Sequence, residues 1–143
     1  MFYVLAVIAW ALTVFVGMVF FKAGKFKLTA SIETLVGAGM TWTKQIPKAL
    51  VRLIALLEVV GAIGLVVAQA AFEVGVIAKV HGFLFAQGWA VAAAAGLALT
   101  MAVALVMHVV RKEIKYTWKI NTQVVLAATA LAVVLAFLPI NIA

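Results

Sequence analysis

From Met1 to Phe21 the chain carries no charged side chain, and comparable apolar runs return three more times before its end. A helix needs about 20 predominantly apolar residues to cross the hydrocarbon core of a bilayer. The four runs, at about 1–21, 49–69, 84–108 and 123–139, each have that length. The rest of the sequence agrees with a lipid solvent. It is 69% hydrophobic and only 10% charged, with a mean hydropathy of +1.30. A soluble domain is roughly half apolar and a quarter charged, so a water-soluble fold of this size could not hide so much apolar surface. The expected fold is an all-α integral membrane protein, a four-helix transmembrane bundle of up-down topology forming one domain over 1–143. With no basic segment ahead of it and no convincing cleavage site after it, the first run is expected to be a retained helix.

The charges give the bundle a direction. The connections at 22–48 and 109–122, with the adjoining Arg52, hold Lys22, Lys25, Lys27, Lys44, Lys48, Arg52, Arg111, Lys112, Lys115 and Lys119, whereas the opposite side holds only Lys79. An excess of Lys and Arg marks cytoplasmic loops, so both connections are expected inside and both termini outside. The net charge of +7 then belongs against anionic headgroups and calls for no nucleic acid. Ala70–His81 is expected to be a short outer connection. Tyr116 and Trp118 are placed as interfacial anchors, and Pro47 suits a helix start. Ile32, Leu35, Val36, Met40 and Trp42 are spaced loosely like a short interfacial helix, weakened by Gly37 and Gly39.

Chemistry-bearing residues are few. The absence of cysteine removes thiolate nucleophiles, iron–sulfur clusters and cysteine zinc sites. Four acids in the whole chain make a di-metal site improbable, and no metal ligand set is assigned. His81 and His108 lie on opposite sides, about 40 Å apart along a helical path, and cannot share one haem. No nucleophile–base pair is visible, and the methionines read as core.

Ionisable groups at membrane depth are costly and each needs a reason. Glu58 lies six residues beyond Arg52, about 9 Å further along the helix, and points in a different direction from it. It shares a stripe with Ile54, Ala55, Gly61, Ala62, Leu65 and Gln69, whose small members mark close helix contact, so it is expected to face the bundle interior. His108, three residues before Arg111, ends a stripe of Ala90, Ala93, Ala94, Leu97, Met101 and Ala104. Asn121 is expected to open the last helix at the same level. Lys27 follows Gly24 just after the first helix, with a stem long enough to carry its ammonium inward. Lys27, Glu58, His108 and Asn121 are thus candidates for one intramembrane polar cluster. It could bind a polar headgroup, a quinone carbonyl or a proton, and it could equally be glue that fixes the register of the helices.

Order and spacing of short motifs add a resemblance. Gly24-Lys25-Phe26-Lys27-Leu28 fits G-x-x-K-L, and Ala38-Gly39-Met40-Thr41-Trp42 follows. The run from Val51 to Leu65 contains Glu58, Gly61 and Gly64. Ala95-Gly96-Leu97-Ala98-Leu99-Thr100-Met101 leads to His108-Val109-Val110-Arg111-Lys112-Glu113, and Asn121 comes after. Over most of its length the chain resembles the DoxX-like family of small bacterial four-helix membrane proteins. The resemblance maps the family's usual positions onto Gly24, Lys27, Glu58, Gly61, Gly64, His108 and Asn121, with Gly24, Gly61 and Gly64 as helix-packing positions. Ala55 stands where a glycine is common, and the usual proline is absent around Ala68–Ala70.

The resemblance implies a multi-pass protein of the bacterial cytoplasmic (inner) membrane. Its associations run to a subunit linked with thiosulfate:quinone oxidoreductase, to redox complexes handling oxidative stress, and to assembly chaperones among distant eukaryotic relatives. Fold resemblance does not transfer an activity. The expectation that fits a small chain without its own catalytic constellation is an accessory or assembly subunit of a larger respiratory or redox complex. Its partners would be membrane lipids and other membrane subunits. A quinone- or lipid-binding oxidoreductase subunit is the alternative. It would have no intrinsic cofactor, a bound quinone or lipid, and no catalysis on its own. A small transporter ranks last, because broken half-helices and inverted repeats are lacking.

Overall fold

The computed structural model describes residues 2–80, 85–111 and 114–138. His81, Lys112, Glu113, Pro139 and the side chains of Lys115 and Tyr116 lie outside the described residues. The chain forms α1 (Phe2–Thr29), α2 (Ile32–Gly37), α3 (Lys48–Ile77), α4 (Phe85–Val110) and α5 (Ile114–Ala136), with a 3-10 turn at Thr41–Lys44. Four of these helices contain stretches long and apolar enough to cross a membrane. The protein is therefore an all-α, multi-pass membrane protein. α1 packs on α3 and α5, and α4 packs on α3 and α5, so the four long helices close into a ring in chain order. Lys27 on Glu58 and Trp10 on Glu73 run α1 and α3 antiparallel, and Gln87 on Leu135 joins the start of α4 to the end of α5.

The buried positions repeat with the spacing of a left-handed bundle. In α3 they are Val51, Ala55, Glu58, Ala62, Leu65, Gln69, Phe72 and Gly75, three or four residues apart throughout. In α5 they are Asn121, Val124, Ala128, Leu131 and Leu135. α4 contributes mainly alanines, Ala86, Ala90 and Ala94, which let its neighbours approach closely. The outward faces carry Tyr3, Val7, Leu57, Val67, Leu99 and Leu126, all exposed. A continuous apolar exterior of this extent is intolerable in water and is the natural surface of a lipid-embedded bundle.

The helices run past the apolar spans. α1 continues to Thr29, so Lys22, Lys25 and Lys27 lie on helix and not in a connecting loop. α3 continues through Ile77, which turns most of the expected outer connection at 70–81 into helix and places Glu73 on it. α5 begins at Ile114, so Asn121 sits inside it and does not open it, and the basic stretch around Lys119 is helical. The cause is common to all three. Charge ends a hydrophobic span, whereas a helix ends only where its backbone hydrogen bonds find other partners. α3 stops at such a place: Lys79 adopts a left-handed φ of 56°, and Val80 N–H reaches the Gly75 carbonyl at 2.8 Å, the closure of a Schellman turn.

The connection after α1 is compact. Ser31 caps α2, accepting from Thr34 N–H at 3.1 Å. Gly39, at φ 88°, ends it, with Met40 N–H on the Leu35 carbonyl at 2.9 Å. A glycine that weakens a helix interior is the residue that lets this one stop. Leu35 is fully buried and pins the segment, and Pro47 caps α3.

Candidate functional site

α1 and α3 come into tight contact at Gly24. A Cβ there would lie 2.7 Å from Val59 Cγ2, 2.8 Å from the Ala55 carbonyl oxygen and 3.2 Å from Glu58 Cβ. No other residue type fits without separating the helices. Ala55, which stands where glycine is common in the resemblance, offers its backbone to this contact from the other side. One turn beyond Gly24, Lys27 Nζ donates to both carboxylate oxygens of Glu58 at 2.5 Å. The two residues are only 8% and 5% exposed. Two opposite charges held this far from water are tolerable together and costly apart.

Arg52 completes the junction. It donates through Nη2 to the Ala30 carbonyl at 2.7 Å and through Nη1 to the Lys27 carbonyl. A cation on the last carbonyls of α1 satisfies groups that the helix itself leaves open and suits the negative end of its dipole. Arg52 therefore serves α1 and leaves Glu58 to Lys27.

The other candidates sit as follows. Asn121 is buried on α5 at 8% exposure, and among the described residues its amide nitrogen has no hydrogen-bond partner. His108 is half-buried near the end of α4. The geometry thus joins Lys27 and Glu58 tightly and leaves Asn121 outside their hydrogen bonds. Gly61 packs against Leu97, with 3.0 Å between a built Cβ and Leu97 Cδ2. Gly64, expected as a packing position, has nothing within 4 Å of a built Cβ. It lies on the exposed side of α3, beside the exposed Ile63.

A second polar group pins the far end of the same seam. Trp10 Nε1 donates to Glu73 Oε2 at 2.7 Å, Gln69 Nε2 donates to Glu73 Oε1 at 3.1 Å, and the Thr13 hydroxyl donates to Gln69. Sequence reading missed this group because it ended the span at Gln69. Gln69 already belongs to the Glu58 stripe, and one more turn of that stripe reaches Glu73.

Between α3 and α4 the bundle leaves a groove of about 340 Å³, lined by Ile54, Leu57, Glu58 and Gly61 on one side and Ala93, Gly96, Leu97 and Thr100 on the other. Glu58 thus meets Lys27 on one side and this groove on the other. Thr100 turns its hydroxyl back to the Gly96 carbonyl at 2.9 Å, which leaves the groove wall apolar apart from the carboxylate. Among the described residues no group of three His, Asp or Glu side chains is placed to hold a metal.

The family model of the DoxX-like family matches residues 11–137. The chain belongs to the DoxX-like family. The match takes in every residue of the α1–α3 junction, the groove and the α4–α5 hairpin, leaving Trp10 just outside its edge. No curated protein and no solved structure shows significant similarity to this DoxX-like chain.

Proposed function

We propose that this protein is an accessory or assembly subunit of a larger membrane complex, of the respiratory or redox kind, in the cytoplasmic membrane of a bacterium. The observation that carries the reading is the groove between α3 and α4. Its floor and walls are small, with Gly61, Ala93 and Gly96, and small residues let a neighbouring transmembrane helix approach to backbone distance. Glu58 at its edge offers a hydrogen-bond acceptor to that helix, an interaction of use where no water competes. The family membership supports a membrane role and leaves the partner open. The excess of Lys and Arg at one end of the bundle supports an orientation with both termini outside.

A second reading rests on the same groove. A volume of about 340 Å³ with apolar walls and one carboxylate also suits the ring of a lipoquinone or a lipid headgroup. Native mass spectrometry of the protein drawn from its own membrane in a mild detergent separates the two. Added mass equal to other polypeptides, lost in Gly96→Leu, supports the accessory subunit. Added mass equal to one lipoquinone or lipid, also lost in Gly96→Leu, replaces it with the ligand-binding subunit. A bare chain in both proteins overturns both readings. Gly96 has open space around a built Cβ, so the larger side chain occupies the groove without disturbing the bundle.

A further inference from the structure

A second groove, of about 400 Å³, lies on the outer face of the α1–α3 seam, opposite in character to the first. Its walls are Val14, Gly17, Met18 and Phe21 from α1 and Ile63, Val66 and Val67 from α3, and no acidic side chain lines it. Thr13 closes its inner end, with its hydroxyl already donated to Gln69. Lys22 lines its other end and is exposed, and Lys25 follows one turn further along the same helix, also exposed.

We propose that this groove is a binding site for one acyl chain of an anionic phospholipid, whose headgroup phosphate is held at Lys22. Three observations fix the occupant. The lining from Thr13 to Lys22 spans about 13 Å of helix at 1.5 Å per residue. That is close to half of a hydrocarbon core roughly 30 Å thick, and the long stem of Lys22 carries its ammonium outward along α1, toward the level of the Lys27–Glu58 pair and the phosphate. The walls carry no free polar group along that depth, so the part of the ligand lying in the groove is hydrocarbon. The charge stands at one end only, where the chain of a lipid would meet its phosphate, and it is positive. A neutral sterol-like ligand would leave Lys22 unanswered, and a partner helix would run the full thickness of the bilayer and not half of it. The site is independent of the α3–α4 groove and of the role proposed for it.

The test uses the full chain in vesicles of phosphatidylglycerol and phosphatidylcholine in equal amounts, released into the gas phase for native mass spectrometry. The wild type is expected to retain one phospholipid, enriched in phosphatidylglycerol. Lys22→Gln keeps the chain-binding walls and removes the cation. A lysine near the surface is worth about fivefold in anionic lipid binding, so the preference for phosphatidylglycerol is expected to fall by about that factor while one lipid is still held. Gly17→Leu fills the groove. A Cβ at Gly17 lies at an ordinary 3.8 Å from Val66 Cγ2, so the helices need not part, and retention is expected to be lost. Val67→Phe, at an exposed wall position, is the second filling variant should Gly17→Leu fail to fold. Retention equal to wild type in a folded filling variant overturns the proposal, as does a wild type that holds no lipid, holds the two lipids without preference, or shows a second copy of itself in place of the lipid.

Discussion

Removing one partner of the Lys27–Glu58 pair measures what the junction is for. Lys27→Met keeps the length and volume of the side chain and deletes the ammonium. Glu58 is then left in the seam at 5% exposure with both of its 2.5 Å hydrogen bonds gone. Neighbours do not readily replace the donor, since Arg52 is committed to the Lys27 and Ala30 carbonyls. Breaking a buried pair from one side costs about 3–5 kcal/mol. The reverse single variant, Glu58→Leu, strands the ammonium and is expected to cost a similar amount. Replacing both partners, as Lys27→Met/Glu58→Leu, removes both desolvation penalties, and the loss should shrink to about 1 kcal/mol or change sign. The assay is reversible unfolding of the purified protein in mixed micelles, read as a full double-mutant cycle, so that the coupling energy is isolated from each side chain's own packing. Single variants that each cost under about 1 kcal/mol, or losses that simply add, would refute the reasoning. The double variant also separates structure from function. A stable double variant that still enters its complex makes the pair a register device. A stable one that no longer does so makes the Glu58 carboxylate part of the recognition.

Two further outcomes follow from the same seam. Gly24→Ala must move Val59 and the Ala55 backbone and is expected to destabilise by about 1–3 kcal/mol, whereas Gly64→Ala, with open space around it, stays within about 0.5 kcal/mol of wild type; equal effects in the same unfolding assay would contradict the packing described. Trp10→Phe removes the Nε1 donor from Glu73 and is expected to lose about 1 kcal/mol, with Glu73→Gln losing less because an acceptor remains; a neutral Trp10→Phe would show that the outer clamp is idle.

The parts of the fold that the sequence displays most openly are those that depend on solvent alone. Four apolar runs require four membrane-crossing helices whatever packs on what, and the alanine stripe of α4 announces a close seam. Helix ends are less legible, because α1 does not stop where Lys22 begins; it stops where Arg52, from a different helix, takes over its carbonyls. The site divides in the same way. Glu58 is conspicuous because a carboxylate among Leu57, Val59 and Val60 has no local reason to be there. Its partner is visible only as a lysine one turn past a glycine. Gly24 and Gly64 look equivalent as letters, yet one lies against a helix backbone and the other faces open space, a distinction set by the rotation of each helix in the ring. Asn121 was expected at the mouth of α5 and lies inside it, because the basic stretch before it forms helix.

The two ends of α3 differ less than its two sides. Arg52, Glu58, Gln69 and Glu73 all direct hydrogen bonds or salt bridges toward α1 or toward one another, and Gly24 brings the backbones together on that side. On the α4 side Gly61 faces the apolar Leu97, and the groove opens beside Glu58. Polar bonds in a medium without water resist separation more than apolar contacts do, since lipid replaces an apolar neighbour at little cost and cannot replace a hydrogen bond. α1 and α3 are therefore expected to part less readily than α3 and α4. A partner helix or an amphiphile entering there meets the carboxylate of a unit already fixed in position, so it need not organise its own binding site. That arrangement, a hydrogen-bonded α1–α3 pair presenting Glu58 to an apolar seam, is the physical reason for proposing recognition at the α3–α4 groove, while the outer face of α1 and α3 carries the proposed phospholipid site.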